Sequence, residues 1–470
     1  MPSSTSLSGL MKWLRRDPWS GAFRDVLEHH LGPACTKAGI EIGELGGIIG
    51  NDWAATLWGC AFEDFLTREL SEVGNIIEDY LKRRGWNEKT QNKTYMAGLR
   101  SSVMSLYEVS DVKSGESFIA RDLFRDCEPL RISERTATRT LRQWDRIAAR
   151  VVRVRDKIII GGGVLPFDHE LAETLLSSLS TTQKRAARGD AEVLRGLDRR
   201  IGPAELDEGF SNTEVLRFAA PLISTIWLND VLDKALNPQL PEVRNSDGEE
   251  MVFLSLHYPL LSGVTAKHVR QLLDQLPNLR PESATFWNWV ESNGPRLAHS
   301  QSKAQSGLNF ESTLEDGSVV LGTLELKGKI LLLSVNSESR AERGRAVLAP
   351  VLGKLVGEPL VERQALAQIM ADRVADRTAA VTSVIPPDEA RRIIHENLDS
   401  HYRKQLDEPI PMLGNVTPRK AAKTAGGREK LVAWLKRLEN QMAQHESSEP
   451  MAGYDVAWLW EDLGVADLRK

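Results

Sequence analysis

Two apolar runs, Val319 to Leu326 and Ile330 to Val335, flank Lys327-Gly328-Lys329. Side chains alternate along a strand, so residues i and i+2 share a face. Glycine in a short connection supplies the positive φ that a tight hairpin uses. The spacing therefore predicts an antiparallel hairpin, and the chain must build a sheet around it. Met251 to His257 reads as a strand, and Thr265 caps a helix carrying Val269, Leu272, Leu273 and Leu276. Phe286-Trp287-Asn288-Trp289-Val290 alternates. Ser337 caps a further helix through Ala341, Val347, Leu348, Val351, Leu352 and Leu355. Strand, helix, strand, hairpin and helix in that order predict a ferredoxin-like α/β unit over residues 249–360. The polar stretch Ser292 to Gly307 reads as a loop.

The hairpin carries the sharpest catalytic pattern. Glu325 and Lys327 fall on one face of a strand, and Asp316 precedes them. An acid followed by Glu-x-Lys is how a metal-dependent nuclease holds Mg²⁺ and steadies its attacking water. Leu324 and Leu326 claim the core face, which turns Glu325 and Lys327 outward. Two histidine clusters fail on helical geometry. His395 and Asp399 share a face while His401 lies far around the helix, and His29 and His30 diverge. No metal site and no cofactor is expected from the sequence.

The first hundred residues have helical spacing, with Trp13, Phe23, Val26, Leu27 and Leu31, then Trp53, Leu57, Trp58, Ala61, Phe62, Phe65 and Leu66. Glu63-Asp64 and Glu78-Asp79 read as solvated helix faces. Gly47-Ile48-Ile49-Gly50 has the form of an RNA-clamping turn but lacks basic flanks, and close helix packing accounts for its glycines. Residues 103–168 change to short β runs: Leu106 to Val109, Ser117 to Ala120, and Ile147 to Val154 against Ile158-Ile159-Ile160, closed by Gly161-Gly162-Gly163. A small β-barrel is expected there. Basic residues outnumber acids over residues 121–157, and Arg146, Arg150, Arg153 and Arg155 form a candidate nucleic-acid patch. Segments from Phe62 through Tyr80-Leu81-Lys82-Arg83-Arg84-Gly85-Trp86 to Trp144-Asp145-Arg146-Ile147, within residues 1–170, resemble an uncharacterised bacterial family, which implies no activity. Residues 169–240 return to helix, and Asn237-Pro238 to Gly248 reads as a linker.

Toward the C-terminus, proline placement sets the fold. Pro386-Pro387-Asp388-Glu389 opens a helix with an apolar face of Ile394, Leu398, Tyr402 and Leu406. Glu408-Pro409-Ile410-Pro411 stops it, Thr417-Pro418 restarts one, and Leu431, Trp434, Leu435, Leu438 and Met442 line another. The run Leu406 to Gly414, then Thr417-Pro418, then Gly427-Arg428 resembles the toxin-binding domain of Xre/MbcA/ParS-type antitoxins, over about residues 386–445. The resemblance implies a toxin-like protein partner. With the local basic excess and the aromatic tail it makes Arg403, Arg419, Arg428, Tyr454, Trp458 and Trp460 the candidate partner-binding residues.

The expected architecture is α+β and multidomain: a helical domain at 1–102, a small β-barrel at 103–168, a helical segment at 169–240, the ferredoxin-like α/β unit at 249–360 and a helical module at 384–470. The 470 residues suffice for several domains. Cys35, Cys60 and Cys127 lie too far apart for a zinc spacing, which suits a reducing cytoplasm. No stretch reads as a membrane span, so no membrane partner is expected. The leading functional expectation is a non-catalytic interaction protein. The alternatives are the nuclease and a nucleic-acid-binding regulator, with oligomeric state open.

Overall fold

A computed structural model describes residues 7–70, 73–189, 211–237, 243–291, 308–310, 312–314, 316–365, 386–445 and 449–469. The expected loop at 292–307 lies outside these residues, as does the end of the polar segment Thr181 to Arg200. The chain forms two units, Met1–Pro238 with Ser383–Lys470, and Gln239–Thr382. Both are mixed α/β, and their main sheets are antiparallel.

In the first unit, six helices precede the sheet: α1 (Ser8–Leu14), α2 (Trp19–Ala38), α3 (Leu45–Ile49), α4 (Asn51–Thr67), α5 (Ile76–Arg84) and α6 (Thr90–Arg100). Five strands follow, β1 (Met104–Lys113), β2 (Ser117–Asp122), β3 (Leu130–Ser133), β4 (Arg146–Val154) and β5 (Lys157–Phe167), in the order β3-β2-β1-β4-β5. β3 comes alongside β5, but no ladder joins them among the described residues, so the expected barrel is not closed. Helices α7 (His169–Ala187) and α8 (Asn212–Leu236) complete this part.

One core joins Cys60 on α4, Leu106 on β1, Leu175 on α7 and Trp227 on α8. The sequence boundaries at residues 102 and 168 therefore fall inside a shared core. The sheet is apolar on both faces: Val109, Phe118, Ile132 and Ile147 fill its concave side, while Met104, Leu106, Ala148 and Leu165 meet the helices. By length and composition α8 could cross a membrane, which corrects the expectation that no stretch qualifies. Here it packs against α2, α4 and α7, and Trp227 Nε1 donates to the Pro166 carbonyl at 2.7 Å.

The glycine triplet does not end the hairpin. β5 runs through it, and the register slips between Ala149↔Val164 and Val151↔Ile160. Gly161, Gly162 and Gly163 thus bulge opposite the single residue Arg150. The reason is α4. A Cβ on Gly161 would sit 2.6 Å from Glu63 Oε2, and one on Gly163 would sit 3.0 Å from the Cys60 backbone nitrogen.

In the second unit, β7 (Val252–Pro259), β8 (Leu279–Pro281), β9 (Phe286–Val290), β11 (Val320–Lys327), β12 (Ile330–Val335) and β13 (Leu360–Ala365) form a sheet ordered β13-β7-β12-β11-β9-β8. Strands β6 (Val243–Asn245) and β10 (Leu308–Phe310) form a separate parallel pair. Helices α9 (Ala266–Leu273) and α10 (Glu338–Leu352) cover one face through Val269, Leu273, Leu348 and Leu352, packed on Leu256, Trp287, Leu324 and Leu333. The β12–α10–β13 crossover spans β7, as a ferredoxin-like half would. The other half departs: β12, β11, β9 and β8 lie side by side where that arrangement has two strands.

Gly163→Ala should lower unfolding stability by about 1–3 kcal/mol, since the added methyl meets both the buried Cys60 Sγ and the Cys60 backbone of α4, and the backbone cannot swing away. Chemical denaturation of the wild type and variant measures it, and a cost near zero would mean that α4 does not press on the bulge.

Candidate functional site

The C-terminal module has α11 (Pro387–Gln405), α12 (Pro418–Ala421), α13 (Ala425–Ala443) and α14 (Ala457–Asp462). Gly414 takes φ +82° and lets the chain reverse after Leu413. Thr417 Oγ1 accepts from Lys420 N at 3.3 Å and caps α12. Gly426-Gly427 does not interrupt the module. It forms the first turn of α13, where Thr424 Oγ1 accepts from Gly427 N at 3.1 Å.

The six candidate partner residues separate on burial. Trp460 is 1% exposed and Tyr454 is 8% exposed, in one core with Leu406, Leu431, Trp434 and Leu459. The tail therefore folds back, and these two rings cannot be partner contacts. Tyr454 Oη donates to Asp399 at 2.7 Å. Arg428 Nη2 donates to the Gly464 carbonyl at 2.9 Å, which ties the tail to α13. Arg403, Arg419 and Trp458 remain at the surface. The Arg403 guanidinium lies 4.7 Å from the Trp458 ring centroid, a cation–π contact. Arg419 pairs with Asp462 at 2.9 Å and with Asp407 at 3.3 Å.

The sequence reading missed a docking contact in this unit. Lys436 on α13 is 4% exposed, and its ammonium donates to Glu108 on β1 at 2.6 Å. Glu108 also accepts from Arg121 at 2.6 Å. The Lys436 ammonium lies 3.9 Å from the Trp144 ring centroid, and Trp144 Nε1 donates to Glu439 at 2.9 Å. Asn440 donates to the Gln143 carbonyl and to Asp145, each at 2.8 Å. Trp144 holds φ +66°, a left-handed conformation costly for a large side chain, and the docked helix fixes it there. Burial opposes ionisation of Glu108, yet Lys436 and Arg121 outweigh it and hold its carboxyl below the usual range. Helical spacing could not flag Lys436, which lies two residues from the core positions Trp434 and Leu438 and so faces away from them, and nothing local pointed to Glu108.

A second cluster lies deep in the same unit. His30 Nδ1 is 3.0 Å from Ser224 Oγ, and His30 Nε2 is 3.4 Å from Asp64 Oδ2. The connectivity is that of a Ser-His-Asp triad, but all three are at most 1% exposed, so no substrate reaches them. Asp64 also takes Arg68 at 2.6 Å and Arg150 at 2.8 Å, and it stays strongly ionised despite burial. Burial holds His30 neutral, with its proton on Nε2 toward Asp64 and Nδ1 accepting from Ser224. Glu63, 4% exposed, accepts from the Gly162 N–H, and burial raises its carboxyl pKa. Neither acid lies on a solvated face, as the sequence had implied for this pair.

The arginine patch divides accordingly. Arg150 serves Asp64 and the Ser102 carbonyl, and Arg146, 8% exposed, pairs with Glu173 at 2.8 Å. Arg153 and Arg155 stand exposed at the β4–β5 turn. On the second unit's hairpin, Glu325 and Lys327 pair with each other at 2.8 Å on the sheet face away from the helices. Asp316 lies in the turn before β11 and accepts from Ser318 N. The strand rise of about 3.3 Å per residue keeps it far from Glu325, so the three do not meet. No cluster of three metal-ligating side chains occurs among the described residues.

Lys436→Met should destabilise the first unit by about 3–5 kcal/mol by leaving Glu108 charged and buried, and adding Glu108→Gln should recover much of that loss. Because the folded pKa of Glu108 is depressed, its contribution is present above the unfolded value of about 4.3 and is lost as pH falls through the lower folded value. Glu108→Gln should therefore flatten stability against pH in acid, read by denaturant titration below about pH 4.3. An unchanged acid limb would remove the pair from the stability account.

A sequence family described as a family of unknown function (DUF7986) matches residues 61–196, from the middle of α4 through the sheet and α7. No curated protein matches the chain. The matched span holds Asp64, Arg150 and the glycine bulge, and stops well short of the C-terminal module.

Proposed function

We propose that the chain is a non-catalytic bacterial interaction protein of the cytoplasm, whose C-terminal module binds a toxin-like protein and neutralises or regulates it. The observation that carries this reading is α11. It has 19 residues, and only Tyr402 among them is buried. Its Ile394 and Leu398 are half-covered and Ile393 is 38% exposed. An amphipathic helix whose apolar stripe is only half-covered over its first three turns suits a helix-in-groove contact. Arg403, Arg419 and Trp458 would form the polar and aromatic rim of that surface, in keeping with the antitoxin-like motif at Leu406 to Gly414. Another face of the module is committed, because α13 docks on β1. The finer fold belongs to the same proposal: a partly open five-stranded barrel, supported by β3 lying beside β5, and a ferredoxin-like variant with two added strands, β8 and β9.

Ile393→Asp and Arg403→Ala change exposed side chains and should leave the melting temperature unchanged. The test is affinity purification of the full chain from cells that encode it. The wild type should bring down a protein whose expression alone arrests growth and whose arrest this chain relieves. Ile393→Asp should lose it. Full retention by both variants, or relief of arrest without binding, would overturn the proposal.

A second reading, contact with a polynucleotide, has its support in the exposed Arg153 and Arg155. Replacing both with alanine should reduce the salt dependence of binding by about one unit per lost phosphate contact. Salt-independent binding would end that reading.

A further inference from the structure

Tyr258 sits near the end of β7 with 7% exposure, and its hydroxyl makes no hydrogen bond of full geometry, Arg345 being the side chain that reaches it. Buried hydroxyls are ordinarily paired, and an unpaired one costs stability. Tyr258 lines a recess of about 200 Å³ between the C-terminal half of α10 and the segment leading to β13. Leu348, Leu352 and Val356 supply its apolar wall, and Arg345 and Glu358 its charges. Burial pushes the Tyr258 hydroxyl pKa up, Arg345 draws it down and Glu358 raises it, so both charges act at this hydroxyl. The recess is also next to the end of α10, where the terminal carbonyls favour positive charge.

An apolar wall bordered by a phenol, a guanidinium and a carboxylate is complementary to a zwitterion. A guanidinium and a phenol suit a carboxylate, Glu358 suits an ammonium, and Leu348, Leu352 and Val356 suit a branched hydrocarbon. The small volume excludes nucleotides and most cofactors. We propose that this recess binds a free aliphatic α-amino acid, with its carboxylate at Tyr258 and Arg345, its ammonium at Glu358 and its side chain on the α10 wall. The inference concerns the second unit alone and does not depend on the C-terminal module.

Isothermal titration calorimetry of the full chain with L-leucine, isocaproate (leucine without its amine) and isoamylamine (leucine without its carboxylate) tests it. Leucine should bind, and each analogue should bind at least about tenfold more weakly, the scale of one lost charge-assisted contact. Tyr258→Phe removes only the hydroxyl and should weaken leucine about tenfold. Arg345→Gln and Glu358→Gln alter exposed side chains, so they keep the test open if the tyrosine variant fails to fold. Both should weaken leucine, and Glu358→Gln alone should leave isocaproate unaffected. No heat from leucine at about 10 mM, equal affinity for leucine and isocaproate, or wild-type affinity in Arg345→Gln would each overturn the proposal.

Discussion

The ionised carboxylate of Asp64 is the constraint around which the first unit is arranged. A lone buried carboxylate would cost many kcal/mol, so its neighbours must answer it. Arg150 reaches it from β4, Arg68 from the end of its own helix and His30 from α2, and His30 in turn engages Ser224 on α8. One charge thus correlates three helices and a strand. The arrangement has a geometric consequence beside it. Arg150 can point into the helical layer because β5 bulges opposite it, and the bulge leaves the Gly162 N–H free for Glu63. The acid pair, the arginine and the glycine triplet are one packing solution. The second unit uses a parallel device: Arg340, 1% exposed, donates to Asp247 at 3.0 Å, Ser246 at 2.6 Å and the Leu321 carbonyl at 3.3 Å, pinning the start of α10 to a turn and a strand.

The Glu108–Lys436 pair plays a different part. It sits where a helical module meets a sheet, and its neighbours Trp144, Glu439, Asn440 and Asp145 make the contact directional. A hydrophobic seam alone would tolerate sliding. A buried pair with a tryptophan held at φ +66° does not, because displacement would leave charges unpaired and the strained backbone unsupported. The module is therefore an oriented part of the first unit. That orientation decides which of its surfaces a partner can reach.

Local pattern was enough for much of the fold. The hairpin from Val320 to Val335, the Ser337 cap, the Thr417 cap and the Tyr402–Leu406 stripe all follow from alternation, helical spacing and turn chemistry, and each forms as expected. Long-range pairing was not legible. Glu63-Asp64 looks like a solvated pair because its partners, Arg150 and Gly162, are distant in sequence. Arg146 and Arg150 look like a phosphate patch for the same reason. Their spacing of four residues, with Ala148 midway, put them on one face of β4, but did not say that this face would meet Glu173 and Asp64. The glycine triplet reads locally as a stop, whereas the pressure that selects glycine comes from Cys60 and Glu63 across the core.

The same distinction bears on where function should be sought. An aromatic tail is a poor guide to an interface, because Tyr454 and Trp460 are the cheapest way to complete a core of three short helices. Trp460 leaves its indole nitrogen unpaired, and packing area outweighs that loss. Binding groups are better recognised by what they leave uncommitted. Arg428 and Lys436 have committed their side chains to hydrogen bonds inside the protein. The half-covered start of the α11 stripe and the Tyr258 hydroxyl are less committed. A surface that exposes apolar area and a recess that leaves a buried hydroxyl without a well-formed hydrogen bond both carry a folding cost that a bound molecule would offset. In this chain those two places lie in different units, so a ligand at one can be removed by mutation without touching the core that supports the other.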